Sequence, residues 1–308
     1  GLDTSNVTNM GGLFAGCENL ESADLSGLNT GNVTDMSGMF EGCTSLKDAN
    51  LSGLDTGNVT DMNNLFAGCG SLENVDLSGL DTSNVTDMSG MLSGCGSLDS
   101  IDLSGLDTSN VTDMSGMFQD CSGLKDVDLS GLDTGNVTDM NNLFAGCESL
   151  EKVNLDGLDT SKVTDMSGIF SGCGSLETVD MTDLDTSNVT NMGGMFGGCT
   201  SLGDIGLPEG FDVDKAATEG AFDDCIAQPQ PDFFTQPEDA RQSGSCWWSI
   251  DSDGLLVIAP VEGTQGSLDA WTNGAPWADR AQDIRDVIVK GEVQAPTCAD
   301  MFAGCSNL

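Results

Sequence analysis

Three rows of acidic or amide side chains recur at a fixed interval along this chain, and groups of that kind could coordinate a cation or exchange protons. The first row is Asp3, Asn29, Asp55, Asp81, Asp107, Asp133, Asp159 and Asp185. The second is Asn9, Asp35, Asp61, Asp87, Asp113, Asp139, Asp165 and Asn191, and the third Asp24, Asn50, Asp76, Asp102, Asp128, Asn154 and Asp180. Hard cations take several carboxylate or carbonyl oxygens, so Ca2+ bridging between copies is one use for such rows. No stretch carries the glycine-aspartate nonapeptide of β-rolls or an EF-hand loop. Backbone N–H donation to each carboxylate in tight turns offsets the like charges more simply. The expectation is therefore no cofactor and no metal ligand set, with Ca2+ as the alternative. General acid chemistry needs one carboxyl in surroundings unlike its partner's, and equivalent rows supply the opposite. Histidine is absent from the sequence, which removes His-dependent triads, proton shuttles and the usual zinc ligands. No catalytic residue is assigned, and the chain is expected not to be an enzyme.

A row of thiols keeps the same beat: Cys17, Cys43, Cys69, Cys95, Cys121, Cys147, Cys173 and Cys199 lie 26 residues apart, and Cys225 follows. Parallel, in-register side chains rarely reach the ~90° torsion of a disulfide. Nine members would also leave one unpaired, whereas a free cysteine is a small apolar core residue. Reduced, buried thiols are expected, so cysteine content does not fix the compartment. Cys246 and Cys298 lie outside the row and are the better candidates for one bridge.

What positions these rows is a repeat. Strict self-similarity at 20 to 50 residues marks a solenoid, in which one unit cannot bury its apolar face until neighbours stack on it. In the first copy the positions that stay apolar throughout are Leu2, Val7, Met10, Leu13, Phe14, Cys17, Leu20, Ala23 and Leu25. The run Leu20–Leu25 alternates as a half-buried strand does and should stack as parallel sheet. Between Met10 and Cys17 the apolar spacing suits one short helical turn, which the Gly11–Gly12 pair keeps from lengthening. "DTSN" and "LSGL" read as corners. At about 4.8 Å per strand, eight or nine rungs make a rod on the order of 40 Å long. A slower rhythm overlies the first: residues 53–78 return almost unchanged at 131–156, so blocks of three rungs look copied together.

The combination "NVTDMSGMF", a cysteine three residues on, then "DLSGLDTSNVTDM" resembles the repeat of BspA-like leucine-rich-repeat bacterial surface proteins, in the variant widespread in mycoplasma lipoproteins. The match runs over residues 1 to about 207. "CWWSIDSDGLLVIAP" at 246–260 and "APWADRAQDIRDVIVKGEV" at 275–293 are similar to a segment that often precedes such arrays. The resemblance implies a cell-surface or secreted, non-enzymatic protein that binds components of a host or neighbouring cell.

The fold class expected is a leucine-rich-repeat-like solenoid, with parallel β-strands and one short helical turn per 26-residue rung, followed by a small α+β capping module. The boundaries read as solenoid 1–225 (about eight to nine repeats), Pro/Gln-rich linker or cap 226–245, hairpin–helix–strand module 246–297, and the start of a second array at 298–308. Phe233 and Phe234 are candidates for a lid over the last repeat. Trp247, Trp248, Trp271 and Trp277 read as an aromatic core, with a carbohydrate-stacking patch as the alternative. The chain opens and stops inside repeats, as a piece of a longer protein would.

Fifty acidic against nine basic residues give a net charge of −41. Such a surface repels phosphate backbones and anionic lipid, which disfavours nucleic acid and membrane surfaces, and no direct membrane insertion is expected. It favours cations and basic partners. The "NVT" sequons at Asn6, Asn32, Asn58, Asn84, Asn110, Asn136 and Asn188 would crowd glycans about 5 Å apart, so these are read as turn residues, and they point to a bacterial source. The Thr rows from Thr4 and Thr8 suit hydroxyls that close turns, with an ice-binding array as the costlier reading.

The outward residues of the strand rows are the candidate ligand-binding platform: Ser22, Asp24, Asp48, Asn50, Asn74, Asp76, Ser100, Asp102, Asp126, Asp128, Lys152, Asn154, Thr178 and Asp180. They vary on a constant frame, as recognition of a protein or glycan ligand on a host or neighbouring cell would need. A structural stalk or self-associating fibre, calcium-dependent or not, is the alternative.

Overall fold

The computed structural model of the chain describes residues 2–208, 221–222, 241–243, 245–250, 255–260, 266–268, 275–284, 286–289, 293–294, 302 and 305–306. The expectations for Cys225, Phe233, Phe234, Trp271 and Cys298 lie outside these residues. The chain forms two compact units, Gly1–Pro229 and Gln230–Leu308.

In the first unit the rungs stack in register at a shift of 26 residues. Short parallel strands pair as β1 (Ser22–Asp24) with β2 (Asp48–Asn50), β3 (Asp126–Asp128) with β4 (Lys152–Asn154), and β5 (Thr178–Asp180) with β6 (Asp204–Gly206). The equivalents at 74–76 and 100–102 run without regular strand pairing. A second ladder is unbroken: parallel bridges join Asn9, Asp35, Asp61, Asp87, Asp113, Asp139, Asp165 and Asn191 in sequence. The backbone carries it, with Thr34 N–H donating to Thr8 O at 2.8 Å and Met10 N–H to Asp35 O at 2.8 Å.

The segment expected as a helical turn is instead a run of tight turns tied to the next rung. Its N–H groups alternate in direction: Leu13, Ala15 and Cys17 donate within the rung to Met10 O, Gly12 O and Phe14 O at 3.2, 3.0 and 3.0 Å. Gly12, Phe14 and Gly16 donate to Ser37 O, Met39 O and Glu41 O of the following rung at 2.8, 2.8 and 2.7 Å. A helix would direct all these donors along its own axis and leave adjacent rungs unbonded. The alternation requires a left-handed residue twice per rung, supplied by Gly12 (φ 64°) and Gly16 (φ 71°). Asn64, Asp120 and Asn142 take the same conformation, at φ of 53°, 58° and 53°, which short amide and carboxylate side chains tolerate best.

The apolar rows expected from the sequence are the core. Val33, Met36, Phe40, Cys43 and Leu46 are buried, as are their counterparts in the inner rungs, whereas in the first rung Val7, Phe14 and Leu20 are half-buried and Cys17, expected to be buried, is exposed. Phenyl rings stack along it: Phe14, Phe40 and Phe66 lie 5.3 Å apart, and Phe118, Phe144, Phe170, Phe196 and Phe222 follow at 5.4–5.7 Å. Leu92 interrupts the column. In the first rung Leu2 and Leu13 are 77% and 46% exposed.

The second unit holds a four-stranded sheet in the order β11 (Asp286–Val289), β9 (Leu255–Pro260), β8 (Cys246–Ile250), β7 (Arg241–Ser243). β8 and β9 form the expected hairpin and β11 joins β9 in parallel. Arg241–Ser243, in the stretch expected as linker, pairs antiparallel with β8. The expected helix near Pro276 is a single 3-10 turn, Ala278–Arg280. β10 (Gly266–Ser267) and β12 (Val293–Gln294) pair separately. Trp248 and Trp277 are 3% and 0% exposed and meet edge to face at 6.0 Å, so both belong to the core of this unit. Phe302 and Cys305 pack against the same cluster.

Candidate recognition surface

Each of the three acidic rows closes turns. The near oxygens of Asp3, Asp81, Asp107 and Asp185 accept from the N–H two residues on at 2.9–3.1 Å. In the second row Asn9 serves Gly11 at 2.8 Å and Asp35 serves Ser37 at 2.9 Å. In the third, Asp24, Asn50, Asp76, Asp102, Asp128, Asn154 and Asp180 serve Ser26, Ser52, Ser78, Ser104, Ser130, Asp156 and Thr182 at 2.9–3.1 Å. The hydroxyl and then the N–H of the residue two positions on hold Asp24, Asp76, Asp102, Asp128 and Asp180 below the usual carboxylate range. Asp61 goes the other way: burial raises it, and the carboxylates of Asp87 and Asp35 add to the rise. Among the described residues no group of three or more His, Cys, Asp or Glu side chains is arranged to hold a metal ion.

The candidate platform therefore divides into two kinds of residue. Asp24, Asp76, Asp102, Asp128, Asn154 and Asp180 are exposed and Asn50 is half-buried, but each lends an oxygen to a corner of its rung. Ser22, Asp48, Asn74, Ser100, Asp126, Lys152 and Thr178 are also exposed, and the structure gives them no shared bonding role. Registers place Ser22 beside Asp48 and Asp126 beside Lys152. This second set is variable as well as exposed.

Two further rows are exposed; from the sequence alone the Asn row reads as turn residues, and the Thr8 row as a hydroxyl array only as the costlier reading. Asn6, Asn32, Asn58, Asn84, Asn110, Asn136, Lys162 and Asn188 form one, and Thr8 through Thr190 the other. The signal was present in "NVT", since residues two apart on an extended segment share a side. Asn32, Asn58, Asn84, Asn110, Asn136 and Asn188 each donate Nδ2 to a backbone carbonyl of the preceding rung at 2.7–2.8 Å. Thr34, Thr60 and Thr86 donate Oγ1 to the preceding Thr carbonyl at 3.2 Å. The Thr4 row is different in kind: it is buried, and Thr82 Oγ1 accepts from Asp107 N–H at 2.8 Å and donates to Asp107 O at 2.9 Å.

The thiols are not a reactive site. Cys17 is exposed; Cys43 through Cys199 are buried and form no disulfide, and each donates S–H to a carbonyl 29 residues earlier, as Cys69 does to Phe40 O at 3.2 Å. Burial pushes Cys69 and Cys121 up to about 12, which keeps them protonated at neutral pH. Cys246 is also free and buried.

Among solved structures the chain is similar to a leucine-rich repeat protein from Bacteroides ovatus, at 21% identity over 71% of this chain and 80% of that one, with a TM-score of 0.26. It is similar to a leucine rich cell surface protein from Faecalibacterium prausnitzii at 15% identity over 98% and 69%, TM-score 0.35. A leucine-rich repeat protein from Eubacterium ventriosum matches at 17% identity over 71% and 74%, TM-score 0.32. No curated protein matches. At such values the solenoid assignment rests on the rung geometry itself. Residues 1–52, 35–152 and 123–227 match the family described as Mycoplasma protein of unknown function, DUF285, and this covers every rung described above. The chain belongs to that family.

Proposed function

We propose that the chain is a non-enzymatic adhesion or interaction module of a secreted or surface-exposed bacterial protein, which presents its strand-row face to a protein or glycan on a host or neighbouring cell. One observation carries this reading: Ser22, Asp48, Asn74, Ser100, Asp126, Lys152 and Thr178 occupy equivalent, exposed places on a constant frame and differ in size and charge. The acidic rows, by contrast, repeat one bonding role, each accepting the N–H two residues on. Among the described residues no helix is long and apolar enough to cross a membrane. The test is a glycan and protein array probed with the chain, then with Asp126→Lys and Lys152→Glu. A ligand that the substitutions weaken at unchanged circular dichroism supports the reading, and an array without ligands, or one indifferent to both changes, rejects it.

The near-identity of residues 53–78 and 131–156 favours a second reading, a spacer that sets distance or assembles into a fibre, with or without calcium. Light scattering with and without Ca2+ separates the two, ordered filaments supporting the spacer.

A further inference from the structure

The Asn row is built as an acceptor line. A backbone carbonyl can only accept, so the Asn side chain facing it must do so with its NH2 group, and Oδ1 is turned outward. Among the described residues no donor reaches Oδ1 of Asn32, Asn58, Asn84 or Asn110, although all four are exposed. The Thr hydroxyls beside them spend their protons on backbone carbonyls as well, leaving only lone pairs outward. Exposed Asp carboxylates at positions such as Asp81 and Asp107 precede the line in each rung, and half-buried ones such as Asp87 and Asp113 follow it. A surface on which outward acceptors and negative charge outnumber donors, each Asn keeping one unspent N–H, is complementary to a partner rich in charged donors.

The chain shows such a donor in place. Where the row would carry an eighth amide it carries Lys162, and its Nζ donates to Asn136 Oδ1 of the preceding rung at 2.7 Å. We propose that the Asn6–Asn188 row is a docking stripe for a lysine-rich polypeptide segment, whose ammonium groups take the outward Oδ1 atoms as Lys162 takes that of Asn136. Each such contact is exposed and individually weak, so binding comes from many rungs acting on one chain. An ammonium suits the task better than a planar guanidinium, because it rotates its donors on a flexible stem to meet single acceptors. Lys162 occupies one place in the stripe and closes a neighbouring one.

The proposal rests on the reading of the chain as an interaction module but concerns a different face, so failure here leaves the array test above undecided by it, and the reverse. The experiment is titration of a labelled oligolysine peptide with the full chain, with Lys162→Asn, and with Lys125→Asn. Lys162→Asn restores the row's usual residue and frees Asn136, while Lys125→Asn removes the same charge from an exposed site elsewhere. The expected result is binding that tightens a few-fold for Lys162→Asn and not for Lys125→Asn. A trimethylated oligolysine, which keeps its charge and loses its donors, should bind more weakly. Equal tightening by the two variants would assign the attraction to net charge alone and overturn the stripe. No binding, no gain at Lys162→Asn, or indifference to trimethylation overturns it too.

Discussion

Between Asn9 and Asn191 six aspartates follow one another, and those in the middle have a carboxylate on either side. The ends are relieved: Asn9 Nδ2 donates to Asp35 Oδ2 at 2.6 Å and Asn191 Nδ2 to Asp165 Oδ2 at 3.0 Å. Asp61 has no such neighbour, and its carboxyl is raised. A raised folded-state value means its contribution to stability is present below the unfolded value, near pH 3.9, and is lost as pH rises through the folded one. Asp61→Asn should therefore stabilise the protein at pH 7, by less than about 1 kcal/mol for a half-buried group that keeps its turn hydrogen bonds. Thermal melts should show the gain vanishing by about pH 3, where wild type is protonated as well. The turn carboxyls held low, such as Asp76 and Asp102, work in the opposite sense: their contribution is present above the unfolded value and lost as pH falls through the folded one. At this scale the sequence was legible where chemistry is simple. The Cys, Met and Phe rows are core because an apolar side chain at a fixed period has no other place to go. The burial of Thr4 and its equivalents was not legible, because a hydroxyl that bridges two backbone groups of the next rung looks in sequence like one that closes a turn.

The rung's elements are short, and that is why some of them were misjudged. "LKDVDL" at 124–129 alternates over six positions and announces the strand that forms at Asp126–Asp128, though its relatives at 74–76 and 100–102 form none, whereas the Thr8–Met10 ladder uses too few residues per rung to show a period. The spacing of Met10, Leu13, Phe14 and Cys17 fits a helix on paper. Glycines at positive φ turn alternate N–H groups outward instead and give the segment its second set of partners. The phenyl column makes a prediction at this level. Leu92 sits buried where Phe66 and Phe118 would otherwise have a ring between them. Every other rung accommodates a ring on the same frame, so Leu92→Phe should complete the column and stabilise by about 0.5–1.5 kcal/mol, the usual worth of an aromatic pair beyond its area. A fall in the denaturation midpoint would show instead that this rung has contracted around leucine.

Across the whole molecule the dominant fact is charge. With nine basic residues against fifty acidic ones, self-repulsion opposes the compact state. Added NaCl screens it, so the melting temperature should rise by several degrees between low ionic strength and about 1 M, where the screening length falls to roughly 3 Å. A flat response would mean that the turn hydrogen bonds already neutralise the rows. The variability of the Ser22-type row can be read in the sequence, but not its difference in bonding from the Asp24-type row. Which oxygens are committed to corners, and which are free, depends on the partner two residues away. The donors of the Cys, Asn and Thr8-type rows all reach toward the rung that precedes them, as Cys43 does to Phe14 O and Asn32 to Ser5 O. For these side chains each newly made turn of the coil finds its acceptors on chain already synthesised, while N–H groups such as those of Gly12, Phe14 and Gly16 wait for the turn that follows, so an array growing on the ribosome carries one half-bonded end.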